Sequence, residues 1–243
     1  MKKRKRIAKK RVYLNSEETL LVISRYAQNR LSNGHKALKK LSKRQQILVL
    51  AEQAGRKKRQ TEAKNLTIDR IWTRNKPLSL FKLIPFIIKN DKINNVLVQF
   101  DFKTFGRNLA INFIVPLLLF FFKRNKKRVY FEFHQVIEEK KIRKNTPLKF
   151  KIQRTIFNLL LRLFYKSTAN LTNSIIVFKP SLRQALTKFI AEEKIILLPS
   201  TLVIEQIKTS KQKEKNLNKT IHVYKRIVSA PYDVSPNVSL NLK

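Results

Sequence analysis

The sequence predicts an α/β domain built on a doubly wound, parallel sheet with helices on both faces. Short apolar runs alternate with longer amphipathic segments along most of the chain. The runs VLV within NVLVQF and IIVF within SIIVF are continuously apolar and do not alternate with polar residues. Such runs are typical of strands buried on both faces, which is the arrangement of a parallel sheet between helix layers.

The N-terminal part of the chain begins with a basic tail, residues 1–10, that no apolar signal region follows. Arg11–Ser16 is predicted as a short strand. Apolar residues at helical spacing predict a helix from Glu18 to Lys40. The polar segment Gly55–Asn65 is predicted as a loop.

The remaining elements follow in alternation. Strands are predicted at Gln45–Gln53, Leu66–Trp72, Asn95–Phe100, Val129–Phe133, Ser174–Phe178 and Lys194–Pro199. Helices are predicted at Pro77–Lys89 with a kink at Pro85, and at Asn108–Phe122, Phe150–Tyr165 and Pro180–Ile190. Core positions are expected for the phenylalanines Phe100, Phe102, Phe105, Phe120, Phe121 and Phe122.

The segment Asn108–Phe122 is the stretch most similar to a membrane span. It has fifteen residues and an interior proline, Pro116. A spanning helix needs ~20 apolar residues, so we expect a buried or an interfacial helix here.

The amino-acid composition indicates which partners the chain favours. It has 54 Lys and Arg against 15 Asp and Glu, a net charge of +39. Such an excess attracts the phosphates of RNA, anionic lipid or a nucleotide, although a bias towards Lys, Asn and Ile codons explains it equally well. There is no cysteine, and the three widely separated histidines have no second histidine at helical spacing, so no metal site is predicted.

Six short segments carry a further pattern. In chain order they are ISRYAQNRLSNGHKALKK, ILVLAEQ, IDRIWTRNKPLSLFKLIPFI, VLVQFDFKTFG, RVYFEFHQV and NSIIVFKPSLRQALTKFIAEEKIILLPSTLV. Together, over residues 11–203, they resemble the N-terminal domain of the family 4 glycosyltransferases, which are retaining enzymes of the GT-B type. The resemblance implies a Rossmann-like, acceptor-side domain of an enzyme that transfers a sugar from a UDP- or GDP-sugar, without a metal, to a glycan or lipid-linked acceptor in polysaccharide biosynthesis.

The sequence also departs from the family pattern. The stretch NSEETLLVIS lacks the glycine-rich turn expected after the first strand, and Ser200-Thr201 stand where the family has His-Gly. The family's two donor-contacting glutamates lie eight positions apart, and this sequence has no such pair. We therefore expect residues 204–243 to be an irregular basic tail or the start of a truncated second domain. We expect the chain to be inactive without that domain or a partner chain, and its catalytic residues stay unknown.

Candidate site residues follow the predicted strands, because ligands of open parallel sheets bind outside the carboxyl ends of the strands. The candidates for lining an acceptor cleft are Gln99, Asp101, Phe105, Gly106, His134 and Gln135. Asp101 is expected to accept a hydrogen bond from an acceptor hydroxyl, and Gly106 to let the backbone turn at the cleft mouth. By the resemblance, His134 orients a sugar or a pyrophosphate. A lone histidine at a strand end is also common as a helix cap or a surface residue. Glu132 is interpreted as pointing to a sheet edge or pairing with a lysine.

The predicted helix Phe150–Tyr165 offers a second surface. Its apolar residues Ile152, Ile156, Leu159, Leu160 and Leu163 share one face. Basic residues in and beside it are Lys149, Lys151, Arg154 and Arg162. A basic amphipathic helix lies on anionic lipid, which suits a cytoplasmic enzyme held peripherally on the inner face of the cell membrane. The alternative, which we favour, is a helix whose apolar face packs on the sheet and whose outer face is solvated.

A nucleic-acid-binding, ribosome-associated protein is the alternative function that the charge suggests. It predicts a steep salt dependence of RNA affinity. The basic residues are spread over the whole chain, and no GXXG loop or aromatic RNA-binding string is present. The transferase is therefore the favoured interpretation.

Overall fold

The computed structural model describes residues 19–25, 38–43, 45–53, 59–90, 93–106, 109–140 and 147–198. The predictions for the tail 1–10, for the strand Arg11–Ser16 and for the segment 204–243 lie outside these residues.

The described strands form one eight-stranded sheet. They are β1 Leu20–Ser24, β2 Ile47–Glu52, β3 Arg59–Ala63, β4 Leu66–Trp72, β5 Asn95–Phe100, β6 Arg128–Phe133, β7 Ser174–Val177 and β8 Ile195–Leu197. Their order across the sheet is β3-β4-β2-β1-β5-β6-β7-β8. Every adjacent pair is parallel except β3 and β4, which are antiparallel.

Helices connect most of these strands. They are α1 Pro77–Leu80, α2 Leu83–Lys89, α3 Leu109–Asn112, α4 Val115–Arg124, α5 Leu148–Leu171 and α6 Pro180–Thr187. Residues 38–41 are also helical, and the 3-10 turn Glu192–Lys194 precedes β8.

The winding direction of the chain reverses beside β1. From β1 the sheet grows in one direction through β2 and β4, and in the other through β5 to β8. Right-handed crossovers in opposite directions place their helices on opposite faces. The predicted doubly wound α/β architecture is therefore confirmed, and its switch point lies between β1 and β5.

Alternate residues of the central strands enter two separate cores. Leu21 and Ile23 of β1 belong to a large core together with α1, α2, α4 and α5. Leu20 and Val22 of the same strand face the other side, where they form a second core with Leu38 and other side chains. Both faces of β1 are thus buried, which explains its uninterrupted apolar sequence.

Aromatic rings fill the large core below the carboxyl end of β5. The ring centroid of Phe100 lies between 5.2 and 6.1 Å from those of five other phenylalanines, which are Phe102, Phe105, Phe131, Phe133 and Phe164. Phe105 in turn meets Trp72 edge-on at 5.1 Å. The prediction that Phe120 lies in the core is wrong, because 46% of this residue is exposed, on the outer face of α4.

The predicted helix Glu18–Lys40 is wrong at its start, where β1 occupies Leu20–Ser24. A short run of consecutive buried residues fits a strand and a helix equally well by periodicity. The stretch NSEETLLVIS was compared with the turn that follows the family's first strand. That comparison is wrong for the same reason, because the second half of the stretch, Leu20–Ser24, is the strand β1 itself. The sequence that follows β1, before the helical residues 38–41, includes Gly34.

The predicted loop Gly55–Asn65 is also wrong, because it contains the edge strand β3, Arg59–Ala63. Within the described part of the chain this strand pairs with β4 only, and its side chains are exposed or half-buried. Hydrogen bonds to β4, and not apolar burial, hold it in place, so it carries no hydrophobic pattern.

Two predicted helices are each divided into two. The first breaks at Phe81–Lys82 and the second at Phe113–Ile114. Each break lies two to four residues before a proline, Pro85 or Pro116, whose ring collides with the carbonyl four residues earlier and cannot donate to it. Among the helices of the described residues, none has the length and apolar character that crossing a membrane requires.

Candidate functional site

The polar side chains of interest lie at the carboxyl ends of β5 and β6, beside the switch point. Gln99 and Glu132 are register partners on these strands, so their side chains project from the same face of the sheet. The strand pair β1–β5 places Ile23 opposite Val98, which puts Ser24 level with Gln99. A row of polar residues, Ser24, Gln99 and Glu132, thus runs from the switch point across the three strands β1, β5 and β6.

Glu132 is the centre of this row. Its side chain is only 1% exposed. Nε2 of Gln99 donates to both carboxylate oxygens, at 3.3 and 3.2 Å. Nε2 of His134 lies 2.7 Å from Oε1. The interpretation of Glu132 as pointing to a sheet edge is wrong, because β6 lies between β5 and β7. Its buried carboxylate needs hydrogen-bonding partners, and Gln99 and His134 provide them.

His134 connects this buried carboxylate to solvent. Its backbone N–H donates to the carbonyl of Phe100 at 2.9 Å, which fixes the strand end, and its ring packs beside Phe178 at 5.6 Å. Its side chain is 41% exposed. Since Nε2 donates to Glu132, Nδ1 is the acceptor atom of the neutral ring.

The proton affinity of His134 is set by opposing effects. Burial alone would lower its pKa, but the negative charge of Glu132, its hydrogen bond and the charge of Asp101 outweigh burial, and the pKa lies above the usual 6.5. A larger share of the ring is therefore protonated near neutral pH. In that form both nitrogens donate, and Nδ1 is suited to an anionic oxygen such as one of a phosphate.

Asp101 forms a tight turn after β5. Its Oδ1 accepts from the backbone N–H of Lys103 at 2.6 Å, and its own N–H donates to Oγ1 of Thr104 at 2.9 Å. This is the local pairing that makes aspartate a turn residue. Within the described part of the chain no hydrogen bond engages Oδ2, so this oxygen is the one placed to accept from a ligand hydroxyl.

Phe105 and Gly106 do not line a cleft. Phe105 is 1% exposed in the aromatic core. A Cβ on Gly106 would lie 2.8 Å from Cδ1 of Ile111 and 3.0 Å from Oδ1 of Asn75. The glycine therefore admits the close approach of these neighbours. Gln135, by contrast, is exposed immediately after His134.

A positively charged group lies across the switch point, at the end of β1. Nε of Arg25 is 3.5 Å from Oε2 of Glu52, at the end of β2. The side chain of Arg25 remains 43% exposed. Arg25 was not among the predicted site residues, because the strand that it follows was predicted as a helix.

The segment that follows His134 is attached to α5. The hydroxyl of Tyr165 accepts from the N–H of Ile137 at 2.8 Å and donates to its carbonyl at 3.1 Å. Asn158 pairs in the same two-way manner with the backbone of Lys140, at 2.9 and 3.0 Å. Arg162 forms a two-pronged ion pair with Glu139, and the carboxylate's pKa is held below its usual value mainly by that hydrogen bond.

The missed residue Glu132 had a signal in the sequence. In the strand VYFEFH, Glu132 and His134 are two positions apart and so share a face. Gln99 occupies the same end of the neighbouring strand. Parallel register in a sheet then brings all three together, but the register is a product of the fold and cannot be read from one strand alone.

Comparisons with known proteins add no family to this picture. No protein-family model matches the chain, and no curated protein matches it. Among the described residues, no group of three or more His, Cys, Asp or Glu side chains is arranged to hold a metal ion. What the site can do therefore rests on the chemistry of Gln99, Glu132, His134 and Asp101 beside the switch point of a doubly wound sheet.

Proposed function

We propose that this chain is the acceptor-binding half of a glycosyltransferase of the family 4 type. The observation that carries the proposal is the row Gln99–Glu132–His134 at the carboxyl ends of β5 and β6, next to the switch point where doubly wound sheets bind ligands. The resemblance of six segments to the family supports the same assignment.

In the proposed site, His134 and Asp101 hold the acceptor. Nδ1 of the neutral ring accepts a hydrogen bond from a sugar hydroxyl, while Nε2 is kept in place by Glu132. The protonated ring, with Arg25 on the opposite side of the switch point, binds a phosphate of a lipid-linked acceptor. Oδ2 of Asp101 accepts from a second hydroxyl. The UDP- or GDP-sugar would be held by a second domain or a partner chain, in the cytoplasm.

Binding of the acceptor tests this assignment directly. A panel of oligosaccharides, free and carried on a short-chain lipid pyrophosphate, would be titrated calorimetrically into the full chain. We expect His134→Gln and Glu132→Gln each to weaken binding at least about tenfold, or about 1.4 kcal/mol. The control Lys64→Gln changes an exposed residue of the β3–β4 turn and should leave binding unchanged.

The outcomes separate the proposal from its rival. If no saccharide binds, or if binding is indifferent to His134, the acceptor site is wrong. If the chain instead binds structured RNA with a steep salt dependence, the nucleic-acid-binding alternative replaces it. A panel of radiolabelled nucleotide sugars should give no transfer with this chain alone, and detectable transfer would overturn the assignment of donor binding to another domain.

A further inference from the structure

Four helices form a continuous layer over one face of the sheet. Buried side chains of α1, α2, α4 and α5, among them Leu80, Ile87, Leu119 and Phe164, belong to the same core. All four helices therefore rest on the same sheet face. Their outward sides consequently point in a common direction, away from the sheet.

The outward side of this layer is apolar. All eleven large hydrophobic side chains that are exposed among the described residues belong to these four helices. They are Leu78, Ile88, Leu117, Phe120, Leu148, Phe150, Ile152, Ile156, Leu159, Leu160 and Leu163. Scattered exposed leucines are normal on a protein surface, but concentration of all of them on one layer marks a contact surface.

Helix α5 shows the arrangement most clearly, because it has two apolar faces. Its inner face packs on the core through Leu161, Phe164 and Tyr165. Five further residues, at spacings of 4, 3, 1 and 3 positions, form an outer stripe. They are Ile152, Ile156, Leu159, Leu160 and Leu163, each between 42% and 56% exposed. The predicted packing of this stripe on the sheet is therefore wrong, since the stripe faces away from it.

Charge identifies the kind of surface that the layer fits. The four helices contain no Asp or Glu, and they carry eight basic residues. These are Lys89, Lys123, Arg124, Lys149, Lys151, Arg154, Arg162 and Lys166. A second copy of the same face would bring these positive charges together, which opposes self-association. A partner with a negatively charged surface over an apolar interior matches both the basic and the exposed apolar side chains of the layer.

We propose that the outer face of the α1, α2, α4 and α5 layer docks on the surface of an anionic lipid bilayer. The outer stripe of α5, with Leu117 and Phe120 of α4, enters the boundary between headgroups and acyl chains. Exposed basic side chains of the layer, Lys149 and Lys166 among them, meet the lipid phosphates around it. Docking is independent of the proposed transferase activity, because it uses none of the residues at the switch point.

Vesicle binding of the full chain tests the proposal. Sedimentation with phosphatidylcholine vesicles, with and without phosphatidylglycerol, should show binding to the anionic vesicles only. The triple variant Ile152→Gln, Ile156→Gln, Leu159→Gln should weaken that binding about tenfold or more. Gln favours helix, so circular dichroism should be unchanged. The matched apolar variant Ile152→Leu, Ile156→Leu, Leu159→Met should bind as the original chain does.

A charge pair separates docking by this face from general attraction to a cationic protein. Lys149→Gln with Lys166→Gln should weaken binding more than Lys43→Gln with Lys64→Gln, which removes the same charge from exposed positions outside the layer. The chain has no cysteine, so a single cysteine can carry a polarity-sensitive fluorophore. At Ile156→Cys its emission should shift to the blue on vesicle binding, and at Lys64→Cys it should not.

Three results would overturn the proposal. The first is a failure to bind anionic vesicles. The second is binding that the Gln triple variant leaves intact, since adsorption would then be electrostatic and undirected. The third is a self-association of the free chain, seen by sedimentation velocity, that the triple variant abolishes, because a second copy would then cover the face.

Discussion

The imidazole of His134 shares its Nε2 proton with a carboxylate that has almost no contact with solvent: Nε2 lies 2.7 Å from Oε1 of Glu132, which is 1% exposed. The ring itself opens towards solvent beside Asp101. A charge at this carboxylate therefore controls the protonation of the exposed ring, and the ring is what a ligand would meet.

Glu132→Gln should lower the pKa of His134. The substitution removes the charge that raises this pKa, while burial continues to lower it. The chain has three histidines, so a proton NMR titration gives three imidazole signals, and the one missing from His134→Gln identifies the residue. A titration curve of His134 that is unchanged in Glu132→Gln would show that the pair is not coupled in solution.

The same pair should make stability depend on pH. The pKa of His134 is raised on folding, so its pairing stabilises fully below the unfolded pKa of about 6.5 and is lost as the pH rises through the folded pKa. The free energy of unfolding of the original chain should exceed that of Glu132→Gln most near about pH 6, and the difference should shrink at higher pH. Urea unfolding across this range measures it. A difference that grows with pH would contradict the assignment.

Phe100→Ala should destabilise the protein by about 3–5 kcal/mol, because it opens a cavity among five aromatic neighbours. Phe120→Ala is the matched control, since 46% of Phe120 is exposed, and its effect should stay within about 0.5 kcal/mol. Chemical denaturation of both variants gives the comparison. Equal losses would mean that the two rings have similar surroundings.

Gly106→Ala should cost about 1–3 kcal/mol through overpacking. Its new Cβ would meet Cδ1 of Ile111 at 2.8 Å, a side-chain atom that Ile111→Val removes. In the double variant Gly106→Ala, Ile111→Val, the loss of unfolding free energy should therefore be smaller than the sum of the losses in the two single variants. Strict additivity of the two effects in thermal unfolding would argue that the crowding lies elsewhere.

Tyr165→Phe should loosen the segment after β6. One hydroxyl serves both backbone groups of Ile137, and burial raises the pKa of Tyr165 so that the phenol stays protonated and donates. Removing it leaves an N–H and a carbonyl without that partner, at a cost of about 1–3 kcal/mol. Hydrogen exchange of the Ile137 amide should accelerate more than that of β6. Uniform acceleration across the sheet would indicate a global effect.

Much of the fold was accessible from the sequence, for reasons that differ between strands. β5 and β7 are apolar runs buried on both faces, and β4, LTIDRIW, alternates buried with half-buried residues. Their patterns reflect burial directly. β3 has no such pattern, because an edge strand is held by backbone hydrogen bonds that any sequence can make. The strand β3 forms because β4 is available as its hydrogen-bonding partner.

The candidate site was only partly accessible. Gln99, Asp101 and His134 were predicted from their positions after strands, since parallel strands end at a common edge. Glu132 was missed, because a charged residue inside an apolar strand has no evident partner until register places Gln99 beside it. The outer stripe of α5 was recognised as one face, but its direction was not, because Leu161, Phe164 and Tyr165 form a second apolar face on the same helix.

The attachments of the segment after His134 to α5 have a mechanical consequence. The segment 137–140 is fastened to the helix at Tyr165, Asn158 and Arg162, within a few residues of His134. Helix α5 also carries the outer stripe, so a single helix joins the exposed apolar face to the segment that follows the candidate site. If α5 moves, these hydrogen bonds and the ion pair carry residues 137–140 with it, and His134 lies three residues before this segment.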